Sequence, residues 1–384
     1  MKPIKISHNS LIQTYVQYPI EMVKGSGSFV WDGTGKKYLD FYGGHAVAII
    51  GHCPEKVSSA ISKQSAALLF YSNIFHTKPA IELAKKLAQT LLPQEYQVYF
   101  ANSGSEANET AIKMARKYTG KKHIISFKNS FHGRSITSLA VTGIDSYHQF
   151  SPNLDAYTTF AKLGDIESVQ DAITGDTAAV ICEPIQSIGG VKMAPKNFYK
   201  KLEKLCRKNK IVLIFDEVQT GLGRTGDFWF SKSIGVRPDI ITTAKGMASG
   251  LPLSAVLIKN NISKTIKSGE HATTFGGGPT VCAASLATIS IILKKGFLRN
   301  VKSKSRYLIS KLLKIPQIKT VSGAGFLLGV HFKKPMPDMV KKCLQKGLII
   351  GSSCDASTIR LMPPLTMSKK EIDLFLNIFT KILI

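Results

Sequence analysis

The middle of the chain alternates short apolar runs with amphipathic stretches, and this pattern constrains the fold more than any other feature. Residues 96–101, 124–127, 178–183, 211–216, 240–243 and 255–258 read as strands. Between them Ala107, Ala111, Ala115 and Tyr118 recur at helical spacing, as do Phe198, Leu202, Leu205 and Cys206. Apolar strands alternating with amphipathic helices indicate an α/β fold with a mostly parallel sheet. The last hundred residues change character. A long apolar helix is expected over about 283–293, short strands near 325–332 and 358–361, and a closing helix from Ser368, where Ser368-x-x-Glu371 forms a capping box. The expected organisation is an N-terminal arm (1–45) joining a smaller unit, a large α/β domain (46–265), and a connecting helix with a small α+β domain (266–384).

Composition bounds the alternatives. At roughly 100–200 residues per domain, 384 residues suggest two or three domains, and 44% hydrophobic with 20% charged residues excludes wholesale disorder. The six cysteines (Cys53, Cys182, Cys206, Cys282, Cys343 and Cys354) form no CxxC pair and no Cys/His cluster of metal-ligand spacing. A metal site is therefore not expected, and so sparse a set suggests a reducing compartment. The first ten residues lack the apolar core of a signal peptide, and apolar runs such as 46–50 and 211–215 fall far short of the ~20 residues that span a bilayer. A cytoplasmic protein without membrane association is expected. Net charge is +26. That could be a nucleic-acid footprint, but the 43 lysines and only 8 arginines are spread along the whole chain. Compositional drift explains them better, and no nucleic-acid partner is expected.

Four segments carry candidate chemistry. In Asn102-Ser-Gly-Ser-Glu-Ala-Asn108, Ser103 and Glu106 can cap a helix whose free N–H groups, beside Gly104 and Ser105, make an anion site; an ordinary capped helix start is the competing reading. In Phe131-His-Gly-Arg134 an aromatic face can stack on a flat ring and a guanidinium can grip a carboxylate, where lysine could not form the fork. The competing reading is a core aromatic. Asp216 ends the apolar strand 211–216, where ligands of open α/β sheets sit, although it could also cap a helix. Lys245 lies one βα unit further on, just beyond the next strand, and by itself would pass for a surface lysine. Amine, acid, phosphate cradle and stacking face together, in this order, indicate pyridoxal 5′-phosphate.

These segments join Asp40-Phe-Tyr-Gly-Gly-His-Ala-Val47, Gly221-Leu-Gly-Arg-Thr-Gly226, His271-Ala-Thr-Thr-Phe-Gly-Gly277 and Leu361-Met-Pro-Pro-Leu365. Over nearly its full length the chain resembles the class III pyridoxal-phosphate aminotransferases, most closely the acetylornithine/succinylornithine type. The resemblance implies a fold type I transferase with a mostly parallel seven-stranded sheet. It implies that Lys245 forms the Schiff base and shuttles a proton, and that Asp216 holds the pyridine nitrogen protonated. Val218 and Phe131 would cover the two ring faces and Gln219 would reach the ring hydroxyl. Ser103, Gly104 and Ser105 would hold the phosphate, with Glu217 also beside the cofactor. Thr274 would come from the other subunit of a homodimer. Arg134, with Thr273 and Tyr15, would bind the substrate, and Glu183 would cover Arg360 until glutamate displaces it.

The implied reaction is transamination of N2-acetylornithine with 2-oxoglutarate, in arginine biosynthesis. N-succinylornithine, ornithine and N-succinyl-diaminopimelate are alternative donors. An aminomutase of the same fold and a nucleic-acid-binding protein that has lost catalysis are more distant readings. Three stretches depart from the pattern: Thr274-Phe-Gly-Gly-Gly-Pro279 lacks an asparagine, Ser187-Ile-Gly-Gly190 stands for Gly-Glu-Gly-Gly, and His52-Cys-Pro-Glu55 for His-Cys-His-Pro.

Overall fold

A computed structural model of the protein describes residues 10–93, 95–150 and 157–383. Its centre is a seven-stranded sheet in the order Tyr96–Ala101, Ser254–Lys259, Ile240–Thr243, Val212–Asp216, Thr177–Cys182, His123–Phe127, Thr158–Ala161. Only Ser254–Lys259 runs antiparallel to its neighbours. Every residue of Thr177–Cys182 and Val212–Asp216 is buried, which is why these strands are apolar on both faces. Helix Gly104–Thr119 covers one face through Ala107, Ala111 and Ala115. Helix Lys196–Lys208 covers the other through Phe198, Tyr199, Leu202 and Cys206.

The expected strands all form, within one or two residues at their ends. The seventh, Thr158–Ala161, is a four-residue edge strand of mixed exposure and carries no apolar run that would betray it. The apolar helix begins earlier than expected and spans Pro279–Ile292. It packs on helices Glu55–Ala67 and Lys78–Gln89, and a helix apolar on nearly every side is stable only when so enclosed.

Two smaller sheets complete the chain. One is the antiparallel set Ile318–Ala324, Leu327–Phe332, Thr358–Leu361 and Gly351–Ser352. The other is the meander Met22–Ser26, Phe29–Asp32 and Lys37–Asp40, extended by Leu348–Ile349 in parallel with its last strand. The beginning and end of the chain are thus tied by backbone pairing. Side chains reinforce the tie: Phe375 of the closing helix Lys369–Leu383 stacks on Phe41 at 3.8 Å between ring centroids. Phe41 leads into a tight turn that Asp40 clamps, its carboxylate accepting the N–H groups of Tyr42 and Gly43 at 2.8 Å and of Gly44 at 3.1 Å. Gly43 has φ +59°, and a Cβ there would collide with the Met362 carbonyl. The turn delivers Val47 to the central cavity.

Phe375→Ala should therefore lower unfolding free energy by ~3–5 kcal/mol, the usual cost of emptying a buried phenylalanine site. Chemical denaturation measures it, and a loss below about 1 kcal/mol would show that the stack does not join the two ends.

Candidate active site

At the carboxyl edge of the parallel strands lies a cavity of about 410 Å³. Ser103, Gly104 and Ser105 enter it from the head of helix Gly104–Thr119, and Phe131 and Arg134 from the loop beyond His123–Phe127. Glu183 follows Thr177–Cys182, Asp216 ends Val212–Asp216 with Val218 and Gln219 just after, and Lys245 follows Ile240–Thr243. Residues scattered over more than 140 positions converge because each parallel strand ends at the same edge.

Asp216 is the most firmly held group. Its Oδ2 accepts from Asn108 Nδ2 and from His132 Nδ1, both at 2.8 Å, and its Oδ1 accepts from the Val218 N–H at 3.0 Å. Asn108 is itself locked, accepting from Thr242 Oγ1 at 2.7 Å and donating to the His132 carbonyl at 2.7 Å. Lys245 sits at φ +27°, a left-handed value for a residue with a side chain, and such strain is commonly kept at functional sites. Burial lowers the pKa of its amine, with Asp216 and Glu183 pulling the other way. Glu183 accepts the Phe131 N–H at 2.7 Å. Burial, aided by the charge of Asp216, pushes its carboxyl well above the usual carboxylate range.

Two glycines set the cavity wall. A Cβ on Gly104 would meet the Val218 methyls at 3.0 and 3.1 Å, and one on Gly133, at φ +144°, would run into the Ser105 side chain. The Ser105 hydroxyl accepts from the Arg134 and Ser135 N–H groups at 3.2 and 3.1 Å, seating that loop on the helix head. Ser103 caps the helix by accepting from Glu106 N, while Glu106 reaches back to Asn102 N. The Arg134 guanidinium lies 3.7 Å from the Tyr147 ring centroid.

Four expectations need correction or relocation. Glu217 does not face the cavity. Its fully buried carboxylate accepts the N–H groups of Phe230 at 2.7 Å and Ser231 at 2.9 Å and holds the start of helix Phe230–Ile234. Successive side chains of extended chain point to opposite sides, so Asp216 inward places Glu217 outward. Thr273 and Thr274 line a separate hollow with Phe70 and Phe100, although Thr273 Oγ1 accepts from Asn102 at 3.2 Å. Tyr15 is exposed and borders another hollow beside Tyr42, His45 and Ser352. Glu183 and Arg360 form no ion pair: Arg360 donates to the Ser352 carbonyl and to Ser187 Oγ instead. Asn108, His132 and Ser187 were not assigned roles from sequence. All three stood inside quoted stretches, but polar contacts between distant segments leave no spacing signal.

A buried amine, a fixed carboxylate, the start of a 16-residue helix and an aromatic ring share one cavity. That donor set fits a flat anionic cofactor bearing an aldehyde, a ring nitrogen and a phosphate. Comparison with known proteins agrees. Residues 12–383 match the family model Aminotransferase class-III. The acetylornithine aminotransferase of Methanocaldococcus jannaschii is 42% identical, across 97% of this chain and 96% of its own. A transaminase from the marine bacterium Virgibacillus has the same fold (TM-score 0.93, 26% identity, 98% of this chain and 96% of that one). So does a PLP-bound amine transaminase from an uncultivated Pseudomonas species (TM-score 0.89, 26% identity, 96% of each chain). The chain belongs to the class III aminotransferase family. It is an aminotransferase of fold type I, and its cofactor is pyridoxal 5′-phosphate.

Removing Glu217 should separate scaffold from site. Glu217→Ala leaves two buried N–H donors without a partner, at about 1–3 kcal/mol each, so a loss of ~2–6 kcal/mol in urea unfolding is expected. Cofactor affinity of the folded apoprotein should stay within about threefold, less than the loss of one ordinary hydrogen bond. A large fall in affinity at unchanged stability would return Glu217 to the cofactor.

Proposed function

We propose that the enzyme moves the δ-amino group of N2-acetylornithine to 2-oxoglutarate, giving N-acetylglutamate 5-semialdehyde and glutamate. It would act as a cytoplasmic homodimer in arginine biosynthesis. The observation that carries this reading is the 42% identity, end to end, with an acetylornithine aminotransferase. The accompanying division of the chain is an arm (1–45), a cofactor-binding domain (46–265) and a small C-terminal domain with its connecting helix (266–384).

Pyridoxal 5′-phosphate, when bound, supplies an electron sink for charge that develops on the substrate carbon. Lys245 would hold it covalently. Once the substrate amine takes its place, Lys245 Nζ would carry the proton off the substrate carbon and later return it. Burial lowers the pKa of that amine, so it is a free base at lower pH than a solvated lysine, as a general base requires. Asp216, held by Asn108 and His132, would keep a proton on the ring nitrogen. The N–H groups of Gly104 and Ser105, at the positive end of their helix, would hold the phosphate, with Ser103 capping the helix beside them. Val218 and Phe131 would bracket the ring, and Gln219 would face its hydroxyl. Arg134 would grip the carboxylate remote from the reacting amine, with Thr273 and Tyr15 near the substrate. Arg360 would take the α-carboxylate of glutamate, with Glu183 covering it until glutamate arrives.

Thr274 lies outside this chain's cavity, in keeping with a role in the second site of a dimer. Around it Phe70, Tyr71, Ile74, Phe75 and Phe275 are large apolar side chains left exposed. A patch of this kind marks an association surface.

Two measurements test the reading. N2-acetylornithine should be the best donor in single-turnover reduction of the cofactor absorbance, ahead of N-succinylornithine, ornithine and N-succinyl-diaminopimelate. Arg134→Lys should slow both half-reactions by roughly 10- to 100-fold, because a charge-assisted fork contributes ~1.5–3 kcal/mol and lysine cannot rebuild it. A better rate with ornithine would overturn the donor assignment, and a loss confined to one half-reaction the role of Arg134. Separately, Phe275→Asp should shift the sedimentation coefficient from dimer to monomer and weaken cofactor binding. Unchanged sedimentation would remove this face from the interface.

A further inference from the structure

The segment after strand Thr177–Cys182 reaches the cavity at Glu183, and four residues further on Ser187 is completely buried. Its hydroxyl stands between two groups from distant parts of the chain. It accepts from Arg360 Nη1 at 3.1 Å and lies 2.9 Å from Gln219 Oε1. A guanidinium has only protons to give. Ser187 in turn gives its one proton to Gln219 Oε1. The oxygen of Gln219 is tied to Ser187, and its NH₂ is left for the cavity that Gln219 lines.

Arg360 has an unusual setting. It is only 4% exposed, yet its partners are neutral: the Ser352 carbonyl at Nε, Ser187 Oγ at Nη1, and the Tyr42 hydroxyl, more distantly, at Nη2. Glu183 instead satisfies the Phe131 N–H. A buried cation without a counter-ion among the described residues favours an incoming carboxylate. Of the side chains that hold it, Ser187 is the one at ordinary hydrogen-bond length.

We propose that Ser187 is a positioning residue that joins the cationic carboxylate site at Arg360 to the cofactor-facing amide of Gln219. One hydroxyl holds Arg360 ready without neutralising it and turns the Gln219 NH₂ toward the cavity as a donor for an oxygen of the cofactor ring. Ser187 is one of the positions where this chain departs from the pattern it resembles, which has glycine there and so no hydroxyl to offer. The inference rests on the roles given above to Arg360 and Gln219, but not on the identity of the acylated donor.

The test compares wild type with Ser187→Ala and Ser187→Thr. Binding of pyridoxal 5′-phosphate to the apoprotein is followed by absorbance, and KM and kcat are measured separately for glutamate and for N2-acetylornithine. Ser187→Ala should weaken cofactor binding and raise KM for glutamate, each by roughly 5- to 10-fold, the scale of one ordinary hydrogen bond. KM for N2-acetylornithine should change less than twofold, and thermal stability should fall only modestly, through the partner that Arg360 Nη1 and Gln219 Oε1 lose. Ser187→Thr, which restores a hydroxyl, should recover both glutamate KM and cofactor binding. An alanine variant with both constants unchanged would overturn the proposal. So would equal loss with both substrates, which would mean a general structural role, or a lower glutamate KM, which would mean that Ser187 competes with the carboxylate. A wild-type enzyme that rejects N2-acetylornithine would refute the proposed donor and leave the glutamate comparison intact.

Discussion

The buried carboxylate of Asp216 is the constraint on which the rest of the site depends. An acid at the end of a wholly apolar strand is expensive to bury unless its oxygens are satisfied. Here they are satisfied by Asn108, His132 and the Val218 amide. Each partner fixes something else in turn. Asn108 anchors helix Gly104–Thr119 against strand Ile240–Thr243 through Thr242. His132 fixes the loop that carries Phe131 and Arg134. The turn at Val218 brings that side chain so close to Gly104 that a Cβ there would press on its methyls at 3.0 and 3.1 Å. Satisfying one acid thus places a helix head, an aromatic loop and a ring-covering side chain around a single cavity.

Charge is distributed in that cavity with economy. Lys245, Asp216 and Glu183 lie within mutual electrostatic reach, and burial works against charge on Lys245 and Glu183. The result is a site in which Asp216 is held by three donors, the Glu183 carboxyl keeps its proton to higher pH than a solvated one and the Lys245 amine loses its own at lower pH. Both arginines sit apart, Arg134 on an aromatic face and Arg360 among neutral oxygens. Cations so placed are not consumed by internal ion pairs and are available to the carboxylates of amino and oxo acids.

Much of this was legible in the sequence. Apolar runs marked six of seven sheet strands, and Asp216, Lys245, the Asn102–Asn108 stretch and Phe131–Arg134 stood just past them, where a parallel sheet gathers ligand groups. The structure brings these into one cavity. The errors have physical causes. Glu217 was grouped with Asp216 because neighbours in sequence look alike, but the alternation of extended chain sends its carboxylate to the start of another helix. The edge strand Thr158–Ala161 has no apolar signature because one side of it is not covered. The expected Glu183–Arg360 pair is absent because each finds a nearer neutral partner.

The sequence by itself determined what is local and periodic: which runs become strands, where helix Gly104–Thr119 starts and how it is capped, and which residue types are present in which order. Those follow from apolar periodicity, glycine and capping chemistry acting over a few residues. Only the tertiary structure decided the partners of each polar group. Ser187, Gln219 and Arg360 meet across three remote segments, Arg360 donating to Ser187 and Ser187 to Gln219. Hydrogen-bond direction, burial and the resulting pKa shifts are properties of neighbours in space, and a linear order of residues does not contain them until the chain has folded.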